Sequence, residues 1–355
     1  MSGPLDHIVG LDRIVAARAA TEGRVHRTPL LTSTTAARVI AAATGVRVAD
    51  DRLFMKSEHL QKTGSFKPRG MLAKVLGLGP EEAAAGIVTF SAGNAAQGYA
   101  YAGAALGVRV TVVMPARAVQ SKVEACVGYG AEVILHGEDI AETFAEMERV
   151  RDERGLTFCH PFDDPDVIAG YGSIGLELLD DVPDLDVVVV GVGSGGLISG
   201  VAAALRETRP SVRVYGVEPE GSTAMSSALA AGHVVPVTPM SVADGLGAPF
   251  AGEWTLAMVR RYVDDVVLID DSTILAGVRF AAERLKQVLE PAGAAGLAAL
   301  LFGRIPLRPA DRVGVVLCGG NVEISRLGEL IAGAAPIPGL RVDPRTAPES
   351  AVTVP

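Results

Sequence analysis

The stretch QKTGSFKPRG, residues 61–70, sets one lysine, Lys67, between a phenylalanine and a proline, with Gly64 and Gly70 on either side. Taken alone it is a helix start: Ser65 at the N-cap, Pro68 in the first turn, and Lys67 pointing into water. A solvated lysine has no need of so stiff and apolar a setting. What the cation is for must come from the rest of the chain.

The chain has 355 residues, 49% hydrophobic and 21% charged, enough for a large core and for two lobes rather than one. A formal net charge of −9 without any basic cluster argues against a nucleic-acid surface. Cys126, Cys159 and Cys318 are odd in number, far apart and not in C-x-x-C spacing. A disulfide framework and a structural zinc site are therefore not expected. The N-terminal segment MSGPLDHIVGLDRIVAARAATEG lacks a continuous apolar stretch, and no apolar run approaches the roughly 20 residues a membrane helix needs. The expected compartment is the cytoplasm.

Short Val/Ile-rich runs alternate with longer Ala-rich segments of helical period. The runs are GIVTFS (86–91), VRVTVVMP (108–115), AEVILHG (131–137), DVVVVGVG (186–193), VRVYGVEP (212–219) and VGVVLCGG (313–320). Continuous apolar strands suit a sheet covered by helices on both faces. The spacing predicts helices over 94–106, 119–129, 139–154, 166–180, 196–208, 272–288 and 292–302. Alternation of this kind predicts an α/β fold with parallel sheets. No internal repeat is present. From about Ala335 onward five prolines and no periodicity predict a surface-bound or disordered tail.

Three polar, Gly-containing loops follow predicted strands: SAGNAAQG (91–98), GVGSGGLISG (191–200) and CGGN (318–321). Ligands of open α/β sheets bind beyond the carboxyl ends of strands, so these loops suggest one shared pocket. The second loop has two readings. Gly191, Gly193 and Gly196 match a dinucleotide fingerprint, with Glu218 ending the next strand where a ribose-binding acid would stand. Equally, Gly193, Ser194, Gly195 and Gly196 could present consecutive N–H groups to an isolated phosphate at a helix start.

Lys67 separates the two. Hydride transfer has no use for GSFKPRG, whereas pyridoxal phosphate chemistry needs a lysine in an apolar pocket and a phosphate cup at some distance from it. The ordered set RTPL (27–30), KSEHLQKTGSFKPRG (56–70), SAGNAAQG (91–98), HPFDDPDVIAGYGSIGLE (160–177), GVGSGGLISG (191–200), GVEPEG (216–221), VADGLG (242–247), EPAGAAGLAAL (290–300) and LCGGNVE (317–323) resembles the fold-type II pyridoxal-phosphate enzymes, specifically the threonine/serine dehydratases and serine racemases. The resemblance implies the tryptophan synthase β-like fold: two open parallel-sheet lobes with the cofactor between them. The implied large domain comprises residues 1–84 and 161–334, the small domain 85–160, and 335–355 forms a Pro-rich tail. A homodimer is the family's usual assembly.

The resemblance also implies roles. Lys67 would form the Schiff base with pyridoxal 5'-phosphate and then serve as acid and base for the Cα proton. Phe66 would pack against the ring and Asn94 would hydrogen-bond its 3-oxygen. The N–H groups of Gly193, Ser194, Gly195, Gly196 and Leu197 would hold the phosphate, and Cys318 would face the pyridine nitrogen. Ser91, Ala92 and Gly93 would lie along the substrate carboxylate, chiefly through backbone donors, with Asp244 and Gly245 at the substrate. A thiol is a poorer proton source than a carboxylate, so Cys318 would keep the ring a modest electron sink and favour prompt loss of a β-leaving group.

Two departures from the family pattern matter. A histidine commonly follows the asparagine of SxGN, and here Ala95 stands there, which widens the pocket. Cation-binding members carry a carboxylate at the Glu218 position and another six residues on, where this chain has Ala224. No metal is expected. Glu290 reads as a helix-start acid, though the resemblance places it near the cofactor; His160 reads as a residue of the lobe junction, and Asp163 and Asp164 as solvated turn residues. Asp244 either lines the pocket or caps a turn.

The expected activity is a lyase that converts a β-hydroxy-α-amino acid, by default L-threonine or L-serine, to a 2-oxo acid and ammonia. A bulkier or acidic β-hydroxy substrate, a β-replacement enzyme and a non-catalytic cofactor-binding protein remain open alternatives.

Overall fold

The computed structural model describes residues 7–340. Its strands, in chain order, are β1 (Leu30–Ser33), β2 (Leu53–Lys56), β3 (Ile87–Phe90), β4 (Val110–Met114), β5 (Glu132–Leu135), β6 (Thr157–Phe158), β7 (Val187–Gly191), β8 (Arg213–Pro219), β9 (Asp265–Ile269) and β10 (Val313–Val316). They form two sheets. One has six strands in the order β1-β2-β10-β7-β8-β9, and the other four in the order β5-β4-β3-β6. Every pairing is parallel except that of β1 with β2. The chain leaves the larger sheet after β2, builds the whole smaller sheet, and returns with β7.

The apolar runs become the buried strands that helical cover on both faces demands. All five residues of β7 and all four of β3 and β10 are buried. Helix Pro291–Leu301 is buried at every one of its eleven positions, which is why its sequence is apolar all round rather than striped.

Strands β1, β2, β6 and β9 were not anticipated by the Val/Ile runs. β2 (LFMK) ends in Lys56, whose polar head argues for solvent. Its ammonium is instead fully buried, donating to the Thr28 carbonyl at 2.7 Å and paired with Glu177 at 2.5 Å. β9 has exposed positions at a sheet edge, so its pattern is mixed. The predicted helix over 272–288 is shorter: it runs Asp271–Phe280, widens into a π turn over Ala281–Leu285, and stops at Lys286 with φ +59°.

The expected tail falls mostly outside the described residues, which end at 340. Its first residues are anchored, since Ala335 N donates to Ser272 O at 3.0 Å and Ile337 and Leu340 pack on the core of the larger sheet.

Candidate active site

Lys67 opens the helix Lys67–Leu76, with Pro68 in its first turn as expected. Ser65 is not its cap: the residue before the helix is Phe66, and the Ser65 hydroxyl is buried without a partner among the described residues. The segment is held by the end of β10 instead. Ser65 bridges Gly319, Phe66 N donates to Cys318 O at 3.1 Å, and Gly320 N to Gly64 O at 2.9 Å. Two residues past Lys67, Arg69 is buried between Glu58 and Glu177, at 2.8 and 2.7 Å, which pins the start of the helix. A buried charge persists only when paired in this way.

Lys67 is half-buried, with its side chain on the wall of a cavity. Its Nζ lies 4.9 Å from the Phe66 ring centroid and 5.8 Å from that of Tyr171. Burial draws its pKa down to about 8, with Cys318 and Glu290 acting weakly the other way. An amine desolvated to this degree is a nucleophile and base near neutral pH.

Around it lies a cavity of about 610 Å³ lined by every residue expected at the cofactor or the substrate: Phe66 and Lys67, Ser91 to Asn94, Gly193 to Leu197, Asp244, Gly245 and Cys318. Ala95 lines it too. The three strand-end loops thus converge on one space.

The loop Gly193–Leu197 forms a cup at the start of helix Gly196–Thr208. Among the described residues, none of its five N–H groups has a protein acceptor. Gly195 has φ +95°, where any side chain is strained, and a Cβ there would also crowd Met225 Cε at 2.4 Å and Thr255 Cβ at 3.0 Å. Thr255 braces the loop by donating to Ser194 O at 2.7 Å. Five free donors beside a helix N-terminus are a fitting seat for a phosphate.

Opposite, Asn94 is held on both sides of its amide. Its Nδ2 donates to Glu290 Oε1 at 2.7 Å and its Oδ1 accepts from Asn321 Nδ2 at 2.8 Å. This fixes the amide orientation and leaves one N–H free for the cavity. Glu290 is fully buried, its Oε2 has no partner among the described residues, and burial raises its pKa to about 7. Glu290 is thus a wall of the site and more than a helix-start acid. Its sequence signal, a carboxylate heading an entirely apolar helix, was available. The Cys318 thiol donates to Ala292 O at 3.4 Å, and burial pushes its pKa to about 12, so it stays protonated.

In the loop Ser91–Gly93, Ser91 N is used by Val113 O and Gly93 N by Ser91 Oγ. Fewer backbone donors remain than expected: those of Ala92 and Asn94. Asp244 lines the cavity and pairs with Lys122 Nζ at 2.8 Å. Lys122 was not anticipated.

Asp163 and Asp164 are not solvated turn residues. Asp163 accepts from the N–H groups of Glu253, Trp254 and Thr255 and so caps helix Glu253–Tyr262, while burial raises its pKa. Asp164 caps helix Pro165–Asp181 and pairs with Lys74 at 2.7 Å. His160 Nδ1 accepts from Phe162 N and Asp163 N, and burial pulls its pKa to about 4, so it is a neutral brace of that turn. Glu218 has both oxygens spent on Met225 N, Ser226 N and the Ser226 hydroxyl at the start of helix Ala224–Ala231.

Residues 22–319 match the profile of the family described as pyridoxal-phosphate dependent enzyme. The chain is 39% identical over 325 residues to the L-threonine ammonia-lyase of Thermotoga maritima, covering 91% of this chain and 78% of that protein. It is 37% identical to the catabolic L-threonine dehydratase of Escherichia coli K12, covering 91% and 96%. Among solved structures it is similar to maize serine racemase, with TM-score 0.84, 36% identity, and 91% and 97% of the two chains covered.

Proposed function

The chain belongs to the family of pyridoxal-phosphate-dependent enzymes, and from that premise we infer that it is a dehydratase of β-hydroxy-α-amino acids, with L-threonine or L-serine as substrate and a 2-oxo acid and ammonia as products. The observation that carries the reading is the pairing, across one cavity, of a desolvated lysine with five unpaired N–H groups. The similar L-threonine ammonia-lyase and dehydratase support the reaction class.

Pyridoxal phosphate would be held by Lys67, by Phe66 against the ring, by Asn94 at the 3-oxygen, by Gly193 to Leu197 at the phosphate and by Cys318 at the ring nitrogen. When bound it supplies an electron sink that acidifies the substrate's Cα–H. Lys67 Nζ, with its depressed pKa, takes the proton at Cα. The protonated Cys318 thiol would offer the ring nitrogen no strong acid, a setting that would favour loss of the β-hydroxyl. Asn94 keeps its free N–H aimed into the cavity because Asn321 and Glu290 fix the other contacts of its amide. Phe66, Phe162 and Phe250 make part of the cavity wall apolar. Loss of water across Cα–Cβ gives an enamine that hydrolyses in solution to the 2-oxo acid and ammonia.

The division into a large domain (1–84 and 161–334) and a small one (85–160) is part of this proposal, supported by the return of the chain to the six-stranded sheet at β7. So are a homodimer and a cytoplasmic location. No helix among the described residues is long and apolar enough to cross a membrane. The test is 2-oxo acid release from a panel of β-hydroxy amino acids by the cofactor-loaded protein. Release from L-threonine or L-serine is expected, and none from any member of the panel would overturn the reading.

A further inference from the structure

The cavity wall beside Gly93 carries a lysine that none of the steps above uses. Lys122 stands in the first turn of helix Gln120–Gly128, next to the four-stranded sheet, and its side chain is only 11% exposed. Its Nζ donates to Asp244 Oδ2 at 2.8 Å. That carboxylate sits on the turn Asp244–Leu246, after β8 of the other sheet, and is 56% exposed. A side-chain carbon on Gly93 would lie 3.4 Å from the same Nζ. The ammonium therefore stands between an exposed anion across the cleft and the loop Ser91–Gly93.

A tie between two sheets does not call for this placement. Enclosing an ammonium costs free energy unless it is paired, and a bridge to an exposed carboxylate returns little. A cation in the first turn of a helix also meets the positive end of the helix dipole. Supply and demand in the cavity point elsewhere. Its lining cations are Lys67 and Lys122 alone, and Lys67 is committed to the chemistry. A substrate α-carboxylate along Ser91–Gly93 would find only the N–H groups of Ala92 and Asn94 free.

We propose, resting on the reading that the substrate is a β-hydroxy-α-amino acid, that Lys122 recognises the substrate's α-carboxylate, exchanging Asp244 for it when substrate enters the cavity. One carboxylate replaces another, so the ammonium is never left unpaired during the exchange. Asp244, already mostly exposed, returns to water at low cost. Asp244 thus acts as a stand-in anion that keeps Lys122 in position in the empty cavity.

The test titrates the cofactor-loaded wild type, Lys122→Gln and Asp244→Asn with L-threonine and with L-threoninamide, which lacks the carboxylate charge, following the cofactor's absorbance. Lys122→Gln is expected to weaken L-threonine binding roughly 10- to 100-fold, the range for one charge-assisted hydrogen bond, while L-threoninamide binding is unchanged. Unchanged amide binding also shows that the variant is folded and loaded. Asp244→Asn is expected to bind L-threonine as tightly as the wild type or more so. Equal losses for both ligands in Lys122→Gln, no loss for either, or a loss in Asp244→Asn matching that of Lys122→Gln would overturn the proposal and leave the pair a tie between sheets. Binding is read by rapid mixing, before product accumulates, so a wild type that binds L-threonine but releases no 2-oxo acid would sink the dehydratase reading while the carboxylate comparison still decides this one.

Discussion

Asn94 and Glu290, 196 positions apart in sequence, meet through a 2.7 Å hydrogen bond in the cavity wall. The contact joins the loop after β3 to the head of helix Pro291–Leu301, so one amide registers the position of one sheet against the other. It also leaves Glu290 with one bonded and one bare oxygen in a buried place.

That carboxyl should make the stability of the cofactor-free protein depend on pH. A carboxyl raised from about 4.5 to about 7 favours folding when protonated. Its contribution is fully present below the unfolded pKa and is lost as pH rises through about 7. The groups facing it are Asn94, Lys67, Lys122 and Asp244. Glu290→Gln cannot ionise, so its melting temperature relative to wild type should be higher at pH 8 than at pH 5. A constant difference across that range would show that Glu290 does not titrate there.

Lys67→Ala should abolish both the cofactor's characteristic absorbance and turnover, because Lys122, the other cation lining the cavity among the described residues, is paired with Asp244. Absorbance spectra after reconstitution, with a 2-oxo acid assay, make the check. Wild-type absorbance and turnover in the variant would refute the assignment.

Gly195→Val should empty the phosphate cup. A branched side chain at φ +95° is strained and would collide with Met225 and Thr255. Cofactor content after dialysis should fall well below that of the wild type, and full retention would mean that the loop does not seat the phosphate.

Racemisation of serine should be slight, although the fold is similar to that of a serine racemase. Reprotonation from the side opposite Lys67 needs an acid/base there, and the serine that serves in the family's racemases is Ala92 in this chain. Such a group contributes about 10²–10⁴-fold. Chiral analysis of residual L-serine after partial turnover checks this, and D-serine formed as fast as pyruvate would overturn it.

Strand-end loops and lysine chemistry were legible because they are local: a strand, a glycine turn and a helix start follow one another within ten residues. What escaped reading depends on partners far away in the chain. Lys56 looks like a solvent-facing strand end until Glu177 is brought to it, and Asp163 looks exposed until helix Glu253–Tyr262 presents three N–H groups. Lys122 escaped for the same reason. It is an ordinary helix-start residue until two sheets close on one cavity.

β10 lies between β2 and β7 in the middle of the larger sheet, yet it is the last strand in chain order among the described residues. Leu53 waits for Val313, and the segment leading into Lys67 waits for Cys318 to Gly320. During synthesis the reactive amine and the glycine cup therefore leave the ribosome long before the strand that seats them. A chain broken off before that point would carry the lysine without the strand end that holds its segment in place.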